Sequence, residues 1–558
     1  MRVIKPMNRF NSQNQMSLVF VILALCVSLF FKLSLIGTGA PYTTIDDDTL
    51  FNAGFLVWFG EAPPQRMYLE SWLTGATSIA TYIYHQVLLG QTSQLGLNLV
   101  ADAFRDFQNS PSDYVLHYRY LMLSIDLLTA FFIYRLTALF FTKDEHHYWL
   151  VALPACMYLL TYNTLWCNLV ARPDTMTAFF SVIGLYTYFK SLQGARINYL
   201  FASAIFLGCA TGFKLHAAFF VIAIVIDLLR VNGIKSFITL VIPFGIIAIF
   251  LFCVTAGSPL FDPLLYIKLR ALNIKDDTSP WIQQGDQFFV MLRGTGWLAI
   301  PLMLGALFLI IKQWRSTLNQ NLKSLVLIAS LFLLLFCSLR VLRGYWMLPA
   351  LPLFYILAIY TVKQLPHKLS VIFAAVIICS VMAVQSFQQY QHFTQARYNE
   401  LQTWIKANIK SQDTLYVVGF DILFLPKNTT SLQNRKTVLM QGLEGAAKQG
   451  ENFTSRHIRL WEERAEVMLI DMLDTTSATG YNYYSLNSTP LEYLASVVSY
   501  EKIDFMFVMK GITDKDTGGL LTKIQNDFVK ITEANAPGGK SGTGGLTYEI
   551  YARKHHAN

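Results

Sequence analysis

Three aspartates in a row, Asp46, Asp47 and Asp48, follow the first apolar stretch of the chain. Adjacent carboxylates repel one another, so the cluster calls for a reason. An aspartate caps a helix N-terminus, and Thr49 to Phe59 reads as a helix, but capping accounts for one acid and not three. A carboxylate at a membrane surface has two other uses, as a general base or as a ligand for a divalent cation. A second set is basic: Arg172, Lys214, Arg270, Arg293, Arg340 and Arg343, with Asp174 among them, all falling at the outer membrane face of the topology set out below. Cations close to lipid are costly and turn towards a cavity or a partner. Lys and Arg there suit the oxygens of a lipid-linked phosphate, held by charge-assisted hydrogen bonds. The plainer reading of each is a side chain snorkelling to headgroups. His216 stands two residues after Lys214, and Tyr345 and Trp346 follow Arg343, so all three are candidates to touch the same ligand. For the two aromatics the alternative is an interfacial belt.

The elements that must position these groups follow from composition. The 558 residues are 54% hydrophobic and 14% charged, with a mean hydropathy of +0.40, whereas a soluble chain carries about 25% charged residues. This excludes an ordinary cytosolic enzyme, a disordered scaffold and a disulfide-knotted module, and predicts an α-helical polytopic membrane protein. The net charge of +9, from 44 basic and 35 acidic residues, reads as cytoplasmic anchoring charge and not as nucleic-acid binding. Apolar runs near 16–36, 114–141, 148–166, 174–189, 198–213, 215–229, 236–256, 295–311, 324–339, 345–362 and 369–388 predict about eleven transmembrane helices. Basic residues fall in every second turn: Lys143, then Lys190 and Arg196, Arg230 and Lys235, Lys312 and Arg315, and finally Lys363 and Lys368. That places the N-terminus in the cytoplasm and, with an odd number of spans, the polar C-terminal portion outside.

Residues 1–390 therefore read as a transmembrane domain with outer loops at 37–113 and 257–294, and 391–558 as a soluble extracytoplasmic α/β domain. In the first loop, Leu69 to Leu89 is amphipathic and predicts a helix lying on the membrane surface. In the C-terminal portion, 414–419 and 504–509 are buried-strand patterns, 455–473 is helical, 537–545 is a loop and 546–552 alternates as a closing strand. The seven cysteines sit in or beside apolar runs without ligand spacing, as packing residues. Asp126, seven residues after Arg119 on one helical face, predicts a buried polar contact between helices in preference to a proton relay.

Several short motifs, taken in order, carry a family resemblance. They are Asp47-Asp48-Thr49-Leu50-Phe51, Arg66-Met-Tyr-Leu69-Glu-Ser-Trp72, Ala171-Arg172-Pro173-Asp174, Gly208-Cys-Ala-Thr-Gly212-Phe-Lys214 and Arg343-Gly-Tyr345-Trp346-Met-Leu-Pro349. The set resembles the GT-C glycosyltransferases that use polyprenyl-phosphate sugars, especially the branch of protein O-mannosyltransferases and the lipid A aminoarabinose transferase. Asp48 replaces the Glu of that branch, and the two prolines that usually follow the basic residue at Arg66 are missing.

The resemblance, over roughly residues 16 to 558, implies inverting transfer of one sugar. The donor would be an undecaprenyl or dolichyl phosphate sugar, and the acceptor a hydroxyl of an envelope glycan, lipid or protein on the extracytoplasmic side. It implies Asp47 and Asp48 as the catalytic carboxylates, acting as base, and Lys214 and Arg343, backed by Arg66, Arg270 and Arg293, on the donor phosphate. Arg172, Asp174, His216, Tyr345 and Trp346 would line the donor and acceptor pocket. No cofactor or metal is implied, although Asp46, Asp47 and Asp48 could hold a divalent cation. The expected location is the bacterial inner membrane, with no nucleic-acid partner. The rival readings are a transporter or flippase of lipid-linked sugars, a polyprenyl-linked glycan polymerase or ligase, and a non-catalytic envelope assembly protein.

Overall fold

Every apolar run named above carries helix, since a segment away from water must satisfy its own backbone N–H and C=O groups. The computed structural model describes residues 12–37, 47–59, 72–89, 99–141, 148–170, 172–194, 197–257, 296–313, 320–337, 344–395, 400–418, 428–448, 481–486, 500–512, 519–536 and 546–554, with Val467, Ile470 and Asp471. Helix α1 (Ser12–Leu35) leads to three helices of the first long segment: α2 (Asp47–Trp58), α3 (Trp72–Leu88) and α4 (Leu99–Asn109). Then come α5 (Pro111–Thr137), α6 (Leu153–Leu159), α7 (Tyr162–Leu169), α8 (Asp174–Leu192), α9 (Asn198–Phe213), α10 (Ala218–Asn232) and α11 (Ile242–Ala256). The bundle closes with α12 (Ala299–Gln313), α13 (Gln320–Cys337), α14 (Leu351–Lys363) and α15 (Lys368–Gln395).

Five helical stretches are long and apolar enough to cross a membrane: 18–35, 111–137, 215–232, 237–256 and 368–391. A bent pair, 149–159 with 162–169, makes a sixth, and four shorter apolar helices accompany them among the described residues. Phe30, Ile249, Phe308, Leu334 and Phe373 are 62% to 68% exposed. An apolar surface of that kind needs lipid around it, so the chain is a membrane protein.

The stretch 148–166, expected as one continuous span, is broken. A 3-10 turn (Tyr148–Ala152) and α6 are followed by a bend of 46° at Leu160 and Thr161, before α7. Hydroxyls from distant helices satisfy carbonyls released by the break. Ser28 Oγ donates to the Leu159 carbonyl at 2.9 Å, and Ser386 Oγ donates to that of Leu160.

Glycines set how closely α8, α9 and α11 approach. A Cβ on Gly184 would lie 2.6 Å from Leu207, one on Gly208 2.5 Å from the Ala248 carbonyl oxygen, and one on Gly212 2.4 Å from Thr255. The Gly208 and Gly212 of the sequence motif are thus the contact points that seat α9 against α11, immediately before Lys214.

After α16 (Glu400–Asn408) the chain forms a mixed sheet, as the α/β expectation required. Its strands are β1 (Thr414–Val418), β2 (Asn482–Leu486), β3 (Phe505–Met509), β4 (Phe528–Ala536) and β5 (Leu546–Arg553), with α17 (Thr429–Lys448) after β1 and α18 (Leu520–Asp527) before β4. The order is β2-β1-β3-β5-β4; β1 runs parallel to β2 and β3, and β5 is antiparallel to β3 and β4. Strands β1, β3 and β5 match the sequence reading, whereas β2 and β4 were not expected. The predicted helix at 455–473 lies mostly outside the described residues, and the loop at 537–545 entirely so. On the sheet surface Glu533 takes hydrogen bonds from Lys530 at 2.6 Å and Lys510 at 3.0 Å, and these hold its carboxyl down at about 2.

Candidate functional site

Helix α9 ends at Lys214, whose backbone is extended (φ −153°, ψ 125°) before the 3-10 turn Leu215–Ala217. The Lys214 ammonium donates to Asp174 Oδ1 at 2.7 Å; the two side chains are 14% and 1% exposed. Asp174 is the first residue of α8, where the helix dipole favours a negative charge. The 3-10 turn Gly344–Met347 brings Trp346 to the same place. Its ring centre lies 5.7 Å from Lys214 Nζ, and the His216 ring stacks on it at 5.9 Å and 20°. His216 is buried.

Arg172 is also buried, and its backbone is fixed by α5. The Tyr118 hydroxyl donates to the Arg172 carbonyl at 2.6 Å and accepts from the Arg172 N–H at 3.0 Å. Among the described residues, Arg172 and Lys214 set two basic side chains beside the carboxylate of Asp174. The sequence reading looked for an external anion to balance the cations, yet Lys214 already has Asp174. Among the described residues, Asp174 Oδ2 and His216 Nε2 are buried polar atoms to which no group donates or accepts a hydrogen bond.

The first long segment is tied to this site. Leu50 and Phe51, one turn after Asp47, share an apolar cluster with Tyr118, Met176 of α8 and Phe213, the neighbour of Lys214. Phe51 meets Tyr118 edge to face at 6.2 Å. Gly54 and Gly75 let α2 and α3 touch backbone to backbone, since a Cβ on Gly75 would lie 2.0 Å from the Leu50 carbonyl oxygen. Trp72 Nε1 donates to the Ala256 carbonyl at 3.2 Å, fastening the start of α3 to the end of α11. Farther off, burial raises the Asp106 carboxyl, and the charge of Asp113 adds to the rise.

Arg172, Asp174, Lys214, His216 and Trp346 are thus gathered in one place. Asp47 and Asp48 open α2, and Tyr345 lies in the same turn as Trp346. The side chains of these three, together with Asp46, Arg66, Arg270, Arg293, Arg340 and Arg343, lie outside the described residues.

A second buried network joins four helices. Asp126 of α5 pairs with Lys32 of α1 at 2.8 Å, accepts from the Tyr158 hydroxyl of α6 at 3.0 Å, and accepts from Asn168 of α7. The expected buried polar contact at Asp126 is there, but Lys32, Tyr158 and Asn168 escaped sequence reasoning. Arg119, one α5 face above, donates to the Leu169 carbonyl at 3.0 Å and to that of Ile36 at 2.5 Å. A third network, also missed, sets Asp227 between the Tyr188 hydroxyl at 2.5 Å and Arg230 Nε at 2.8 Å, and Arg230 also donates to Ser324.

Fold and site together describe a helical membrane protein with a buried carboxylate–ammonium pair at the helix ends and a small mixed sheet. No protein-family model and no curated protein matches the chain. Among solved structures it is similar to the oligosaccharyltransferase of Archaeoglobus fulgidus in complex with zinc and sulfate, at 11% identity over 90% of this chain and 69% of that one, with a TM-score of 0.45. It is also similar to the archaeal oligosaccharyltransferase AglB from Archaeoglobus fulgidus in complex with an inhibitory peptide and a dolichol-phosphate, at 10% identity over 89% and 70% of the two chains and a TM-score of 0.44. These values assign no role to any residue.

Proposed function

We propose that this chain is an inverting GT-C glycosyltransferase that moves one sugar from a polyprenyl phosphate to an acceptor hydroxyl on the extracytoplasmic side of a bacterial inner membrane. The observation that carries the reading is the shared apolar cluster that joins the helix opened by Asp47 to Tyr118, Met176 and Phe213, and so to the Asp174–Lys214 pair. It ties an acid-bearing helix to a buried cluster that holds Arg172 and Lys214, side chains whose N–H groups suit phosphate oxygens.

In this reading the acceptor O–H attacks the anomeric carbon from the face opposite the phosphate. Asp47, or Asp48 beside it, takes the hydroxyl proton, and the bond from the anomeric carbon to the phosphate oxygen breaks with its electron pair leaving on the phosphate. Lys214, with Arg343, Arg66, Arg270 and Arg293, meets the charge that accumulates there. The isoprenoid tail lies among apolar helices, and Arg172, Tyr345 and Trp346 border the pocket. The catalytic unit is residues 1–390, and the sheet-bearing portion 391–558 stands outside the membrane.

The broken span and the Lys32–Asp126 pair are features a transporter would also use. That pair, however, is closed on itself: Asp126 accepts from Lys32, Tyr158 and Asn168, and both charges are at most 3% exposed. The test is incubation of the purified protein with polyprenyl-phosphate monosaccharides and envelope extract. A transferase releases free lipid phosphate as the sugar appears on an acceptor, whereas a flippase leaves the sugar–lipid bond intact.

A further inference from the structure

Asp174 Oδ2 and His216 Nε2 are buried hydrogen-bonding atoms without a partner among the described residues, on two side chains that flank Lys214 and Trp346. An unsatisfied buried polar group costs about 1–3 kcal/mol, more when charged, so a ligand group that bonded to either atom would recover that cost. The neighbouring groups say what kind of ligand fits. The Lys214 ammonium, 2.7 Å from Asp174, disfavours a cation at the carboxylate. The Asp174 carboxylate itself repels a phosphate. A neutral hydroxyl meets both conditions, because it donates to a carboxylate and either donates to or accepts from an imidazole nitrogen.

Resting on the glycosyltransfer reading, we infer that Asp174 and His216 bind hydroxyl groups of the donor sugar. Asp174 is then a sugar-recognition residue, and the stack of His216 on Trp346 fixes the imidazole for the same purpose.

The test uses the full-length protein in nanodiscs and compares binding of undecaprenyl phosphate with that of undecaprenyl phosphate bearing mannose, glucose or 4-amino-4-deoxyarabinose. The inference expects the wild type to bind at least one sugar-bearing lipid about tenfold or more tightly than the bare lipid phosphate, the scale of a hydrogen bond to a charged group. Asp174→Asn and His216→Phe should each bring the ratio of sugar-lipid affinity to bare-lipid affinity back towards one, whatever happens to the bare-lipid affinity itself. His216→Phe keeps a ring against Trp346 and the Asp174–Lys214 pair intact, so it serves if Asp174→Asn fails to fold. A sugar increment that persists in His216→Phe and in folded Asp174→Asn overturns the inference, as does a wild type without any increment. A wild type that does not bind the bare lipid phosphate at all overturns the glycosyltransfer reading first, and this inference with it.

Discussion

The hydroxyl of Tyr118 is bonded twice to one residue, donating to the carbonyl of Arg172 and accepting from its N–H. A side chain of α5 thereby fixes the backbone two residues before Asp174, and its ring packs on Phe51 of α2. Tyr118→Phe removes both bonds and leaves that backbone without the hydroxyl. The expected loss is about 1–3 kcal/mol in stability. Thermal unfolding in detergent measures it, and lipid-phosphate release should fall alongside, because the Asp174–Lys214 pair loses its fixed approach.

The Lys32–Asp126 pair separates structural from functional charge. Removing one partner strands the other in a bundle interior, so Lys32→Met and Asp126→Asn should each cost about 3–5 kcal/mol. The combined Lys32→Met, Asp126→Asn variant should recover much of that loss, because no buried charge remains. A double-mutant cycle on unfolding free energies checks this, and simple additivity of the two losses would show that the groups do not depend on each other.

Asp47→Asn should lower transfer about 10²–10⁴-fold while leaving thermal unfolding unchanged, the scale expected for loss of a general base. Near-wild-type turnover in a folded Asp47→Asn protein would shift the proton-accepting role to Asp48.

Glu533 gives a pH-dependent signature in the sheet. Its carboxyl is held below its ordinary 4.5, at about 2, by hydrogen bonds from Lys530 and then Lys510. A depressed acid contributes stability that is complete above its unfolded value and is lost as pH falls from about 4.5 through about 2. Hydrogen exchange at β4 and β5 amides should therefore quicken across that window in the wild type, with less change in Glu533→Gln. Salt should weaken the effect, since these groups are exposed.

Much of this arrangement is legible in the residues themselves. Hydropathy marks the apolar helices of the bundle, though not the polar helices α4, α16, α17 and α18; strand periodicity finds β1, β3 and β5, and the motif residues Asp174, Lys214, His216 and Trp346 do meet. What escaped depends on partners far away in the chain. The break at Leu160 and Thr161 is invisible to an averaged hydropathy, and its hydroxyl partners Ser28 and Ser386 are 131 and 226 residues distant from the carbonyls they bind. Lys32 looks like the polar end of a span until Asp126, 94 residues on, supplies its counter-charge. Strand β2 reads as a polar tyrosine-rich stretch, and its pairing with β1 alone makes it a strand. Strand β4 had a usable signal in the alternation from Phe528 to Thr532, which its surrounding charges obscure.

The glycine seam through Gly184, Gly208 and Gly212 bears on how anything reaches Lys214. Helices that meet at backbone distance have no side-chain cushion to compress, so α8, α9 and α11 behave as one slab with no slack between its planks. A bulky lipid cannot part them.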